Sequence, residues 1–183
     1  MKNLKKIILT AFLSIAFVTT YAVNSKNPFN SDLLIAQPVQ ENTMKEIYNA
    51  YFSIKDALVK SDGKTAAAKA SELLRSISAV PMDKMKSEQH SVWMKVLPEL
   101  KEDAAHISDT QDAKHQRDHF VTLSKNMHEV MKTFGTTDAV YYQKCPMANG
   151  GKGANWLSKE KAIKNPYYGN AMLTCGSTVE TLK

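Results

Sequence analysis

The chain has 183 residues, with 24 Lys and Arg against 18 Asp and Glu, a formal charge of +6 and two cysteines. That length suffices for one domain with a buried core. The charges are mixed along the chain, without a basic stripe interleaved with aromatics, which argues against nucleic acid as a partner.

Lys2, Lys5 and Lys6 form a basic start, Ile7 to Thr20 is a short apolar run, and Thr20-Tyr21-Ala22 offers a small-residue cleavage site. The pattern predicts a secretory signal peptide over residues 1–22, and hence an exported, periplasmic or otherwise extracytoplasmic protein. An uncleaved N-terminal anchor is the alternative. No cysteine lies near the site, which excludes a lipid-anchored cysteine. No later segment is apolar enough for membrane insertion after cleavage. Loss of 1–22 removes three lysines and no acid, so the mature chain is only mildly basic.

Residues 23–42 are rich in Asn, Ser and Gln with two prolines, and read as a flexible N-terminal arm on which Leu33-Leu34-Ile35 could dock. A single domain is expected over 43–183. Met44, Ile47, Tyr51, Ile54 and Leu58 recur at helical steps, from a cap at Asn42 or Thr43 to a stop at 61–63. A second helix runs from Lys64 to about Ser78, with Leu73, Leu74 and Ile77 inward. The third spans about Ser87 to Ser108, with Trp93, Val96, Leu100 and Ile107 on one face, and Pro98 should kink it. The fourth runs from about Ala113 to Phe134, capped by Asp112 and stopped by Gly135. Short connections then imply a mainly α fold, an antiparallel four-helix up-down bundle over 43–135.

The remainder, 136–183, changes character. It holds both cysteines and five of the seven glycines. "AVYYQKC" and "AMLTCGSTVETL" are extended candidates, with a short helix expected at about 158–164 capped by Ser158. A small irregular β-containing lobe on one end of the bundle follows.

Chemistry is sparse elsewhere. There is no Gly-x-Ser-x-Gly elbow and no phosphate-cradling loop, and residues 129–183 contain no histidine to serve a cysteine nucleophile. An enzyme is not expected. Cys145-Pro-Met147 places two sulfurs on one side of an extended chain, and Met172-Leu-Thr-Cys175 places two more one turn apart. Two thiolates and two thioethers are soft donors that select Cu(I) over hard cations, whereas structural zinc usually takes four Cys or His. The alternative is a Cys145–Cys175 disulfide, the commonest fate of two cysteines in an exported chain. His115 and His119 are an i, i+4 pair that reads as a solvated helix face, and His128 is expected to point further out.

"YYQKCPMANGGKGANWLSKEKAIKNPYYGNAMLTCG" resembles the signature of an exported bacterial family, the domain-of-unknown-function family 3347. The shared elements are the Tyr-rich strand, Cys-Pro-Met-Ala, Gly-Ala-x-Trp-Leu-Ser, Asn-Pro-Tyr-Tyr-Gly and Met-Leu-x-Cys-Gly, with a Trp93-Met94 pair in the helical part. The resemblance covers about 40–183. Similar tails end heavy-metal efflux adaptor (membrane-fusion) proteins. The resemblance therefore implies a soft-metal ion as ligand, Cu(I) first, with Cys145, Met147, Met172 and Cys175 as donors, and a heavy-metal efflux or other envelope protein as partner. Trp156, Tyr167 and Tyr168 are expected to pack the lobe on the bundle, and Asn165-Pro166 to turn the second sulfur pair back toward the first.

Overall fold

The computed structural model describes residues 31–183, with side chains described from residue 41. The expected signal peptide and the first part of the arm lie outside the described residues, as do the side chains of Leu33-Leu34-Ile35. Residues 31–183 form one compact unit.

Four helices come first: α1 Ser31–Val59, α2 Gly63–Ser78, α3 Ser87–Ser108 and α4 Ala113–Phe134. The expected arm is thus corrected in part, because helix continues through residues 31–42 ahead of the expected cap. The other ends follow their local chemistry. Asp62 caps α2 by accepting from the Thr65 amide at 3.0 Å, and Asp112 caps α4 by accepting from Lys114 at 2.9 Å. Gly135 ends α4 at φ 82°, where a side chain is disfavoured. Pro98 lies inside α3, which runs on through it.

Each helix packs on the next in sequence. The shared core includes Ile47, Tyr51, Leu58, Leu73, Trp93, Leu100, Phe120, Leu123 and Met127. α1 closes on α4 through Tyr51, whose ring stacks on Phe120 with centroids 5.3 Å apart and whose hydroxyl meets Ser124 Oγ at 2.8 Å. No helix of the described residues is long and apolar enough to cross a membrane.

The tail folds into an antiparallel sheet of β1 Val140–Cys145, β2 Ala154–Ser158 and β3 Ser177–Leu182, in the order β2-β1-β3. Cys145 faces Ala154 and Lys144 faces Ser177 across the central strand. β2 is a strand that the sequence pattern does not announce, and the helix expected at 158–164 does not form. The Gln143 side chain, fully buried, donates to the carbonyls of Glu160 and Lys161 at 3.1 Å each. Those are carbonyls a helix would have used for its own ladder.

The lobe is fastened to the bundle by polar contacts set in apolar surroundings. Leu157 N donates to Tyr51 Oη at 3.0 Å. Arg117 of α4 donates to the carbonyls of Pro166 at 2.7 Å and Leu58 at 2.9 Å. Trp156 is fully buried, and Tyr167 packs between it and Phe120. Tyr168 is half-buried and uses its hydroxyl instead, donating to Met147 O at 2.8 Å.

Candidate functional site

The sheet brings the two halves of the sulfur pattern to one end of the lobe. Cys145 is the last residue of β1, and Met147 lies in the turn that leaves it. Cys175 lies just ahead of β3, which enters beside Lys144, and its amide donates to Met172 O at 3.1 Å. The two thiols are free, with Cys145 Sγ 3.4 Å from Cys175 Sγ. A disulfide requires about 2.05 Å, so the alternative Cys145–Cys175 bridge is not formed here.

Burial differs across the four residues. Cys145 is buried at the end of the central strand and Cys175 is half-buried. Met147 and Met172 are 53% and 42% exposed. The Cys145 thiol is therefore screened from bulk water and the two methionines are not. The Cys175 thiol is pushed above its ordinary value, first by its hydrogen bond with Cys145, then by desolvation and by the nearby Cys145 charge. Once one thiol of such a pair ionises, the other holds its proton more tightly.

Asn165 sets the approach of the second arm. Its side chain is fully buried, donates to Cys175 O at 3.1 Å and accepts from Tyr167 N at 2.9 Å. Its amide donates to Leu173 O at 2.8 Å. Gly176, which follows Cys175, has φ 143°, and a Cβ there would lie 2.8 Å from Lys144 O. The close passage of the two cysteine-bearing arms thus requires glycine at this point.

A second grouping was missed in the sequence. His106 of α3 joins His115 and His119 of α4, with one ring nitrogen of each within 4.8 Å of the others. His106 and His119 rings stack with centroids 4.3 Å apart, and His115 lies 4.9 Å from His119. His106 and His115 are exposed, as expected for His115, but His119 is half-buried and its Nδ1 lies 3.1 Å from Asp103 Oδ1. Only the i, i+4 pair was visible in sequence, because the third ring comes from another helix. No cysteine belongs to this group. His128 is also corrected. It is buried, stacks on Tyr142 at 3.9 Å and bonds Glu180 at 2.8 Å, because the sheet covers that face of α4.

A family model described as Protein of unknown function (DUF3347) matches residues 47–139. The chain belongs to the DUF3347 family. The match runs from α1 through α4 and stops just before β1, so the sulfur-bearing tail of this DUF3347 protein lies outside the matched residues. No curated protein and no solved structure matches the chain.

Proposed function

We propose that this DUF3347 protein is an exported, non-catalytic binder of a soft metal ion, Cu(I) foremost, acting in copper or heavy-metal homeostasis beside an efflux or other envelope protein. The observation that carries the reading is the 3.4 Å separation of the Cys145 and Cys175 sulfurs, with Met147 in the turn that follows β1 and the Met172 carbonyl accepting from the Cys175 amide. Two thiolates at tetrahedral angles around an ion, with bonds of about 2.3 Å, stand about 3.8 Å apart. The pair needs to open by only a few tenths of an ångström to share a metal. Met147 and Met172 are exposed and lie two and three residues along the chain from Cys145 and Cys175, so their thioethers can turn toward an ion as the remaining soft donors without unpacking the core. Export is supported by the basic and apolar start of the sequence, and the efflux setting by the tail's resemblance to adaptor ends.

Ligation requires each thiol to ionise, so binding releases protons and tightens as pH rises. The test is an anaerobic competition titration against a Cu(I) chelator. Cys145→Ser or Cys175→Ser should abolish tight binding. Met147→Leu or Met172→Leu should weaken it less and leave the fold intact, because the two side chains are similar in volume and exposed. Equal affinities across the set would refute the residue assignment, and no binding by the wild type would refute the function.

The same 3.4 Å contact supports a second reading, in which oxidation closes a Cys145–Cys175 disulfide and the lobe serves as an envelope interaction module. Protein isolated from its host with thiols trapped at lysis separates the two: metal and two alkylatable thiols for the first, neither for the second.

A further inference from the structure

We infer that His106, His115 and His119 form a second metal site, for a divalent late transition ion such as Cu(II) or Zn(II), independent of the tail sulfurs. His115 and His119 lie at i, i+4 on α4, one above the other, and His106 reaches across from the last turn of α3. Their nearest ring nitrogens already lie within 4.8 Å of one another. Imidazole ligands about 2.1 Å from a tetrahedral ion stand about 3.4 Å apart. The ring nitrogens therefore close by up to about 1.4 Å, through side-chain rotation at the ends of two packed helices.

The second observation is Asp103. Its carboxylate is nearly buried and lies against His119 Nδ1 at 3.1 Å, and its other oxygen, Oδ2, is buried without a partner. A carboxylate that accepts from one ring nitrogen fixes the tautomer and leaves the other nitrogen, Nε2, as a lone-pair donor. That arrangement accompanies most metal-bound histidines. A solvated surface histidine has no need of a buried carboxylate behind it. Asp103 is a positioning residue and does not touch the ion.

The donor set decides the class of ion. Three imidazoles without thiolate suit Zn(II), Ni(II) and Cu(II), with Cu(II) the tightest of these. Three protein ligands leave at least one position for water. The stacking of His106 on His119, with planes 1° apart, keeps their in-plane lone pairs in parallel planes. Metal binding must tilt the two rings apart.

The test uses the full chain with Cys145→Ser and Cys175→Ser combined, so that the sulfur site is silent. Cu(II) alone, then Zn(II) alone, is titrated, and the Cu(II) form is examined by electron paramagnetic resonance. One ion per chain with nitrogen hyperfine structure from several imidazoles is expected. His106→Asn, His115→Asn and His119→Asn should each weaken binding by more than Asp103→Asn, for which about a tenfold loss is expected. His90→Asn, on an exposed histidine of α3 outside the group, should change nothing. His106 and His115 are exposed, so their variants keep the fold, which circular dichroism checks. Wild-type affinity in His106→Asn, or equal losses in His90→Asn, overturns the site. Cu(I) binding by the thiols of the otherwise native chain should be unaffected by His106→Asn, so the two sites fail separately.

Discussion

Asn165 Nδ2 donates to the carbonyl of Cys175 at 3.1 Å, from a side chain with no exposed surface. The same side chain accepts from Tyr167 N at 2.9 Å. One amide thus ties the Asn-Pro-Tyr-Tyr turn to the backbone of the second cysteine. Asn165→Ala should leave that carbonyl and that amide without partners and destabilise the protein by roughly 2–4 kcal/mol. Asn165→Asp keeps the acceptor but removes the donor, and should be at least as damaging. Denaturant unfolding reads the loss. Faster alkylation of Cys145 in the variants would show that the lobe opens first.

Gly169 and Gly150 both have positive φ, +55° and +63°, yet they stand in different surroundings. A Cβ at Gly169 would lie 2.8 Å from Val59 O and 3.0 Å from Ser61 Oγ, at the seam where Arg117 joins lobe to bundle. A Cβ at Gly150 meets nothing within 4 Å. Gly150→Ala should cost only backbone strain, about 1 kcal/mol, whereas Gly169→Ala should cost that and a steric shift, about 2–3 kcal/mol. Equal melting temperatures for the two variants would contradict the placement of Gly169.

The Glu180 carboxyl is held below its ordinary value, first by its hydrogen bond with Lys132 and then by that with His128. A depressed folded value means stability that is present above the ordinary carboxylate range and is lost as pH falls through the folded value. Glu180→Gln should therefore be less stable than wild type at pH 7, with the difference vanishing in acid. Solvent reaches this pair, so the difference should stay under about 1 kcal/mol. Chemical unfolding of both proteins across pH measures it, and a gap that persists in acid would contradict the assignment.

Much of the bundle was legible because each helix announces itself locally. Leu73 and Ile77, or Phe120, Leu123 and Met127, repeat at helical spacing between identifiable caps. The early start of α1 was hidden, because residues 31–42 carry Pro38 and few periodic apolar positions. β2 was hidden because Asn155 and Ser158 interrupt its apolar positions and its pairing with β1 is set by the Gly-rich turn between them. The segment after it has helical composition, yet Gln143, distant in sequence, takes its carbonyls. The sulfur residues were legible as a pattern, and the thiol contact follows from strand pairing. The three-histidine group was not, because His106 and His119 meet only when α3 packs on α4.

X-ray absorption at the copper edge of the full chain, loaded anaerobically with one equivalent of Cu(I), reads the ligand set itself. A site of two thiolates and two thioethers gives a first shell of sulfur alone, which falls by one sulfur in Cys175→Ser and likewise in Met147→Leu. A first shell of nitrogen and oxygen, or copper lost on desalting from the reduced wild-type protein, would contradict it.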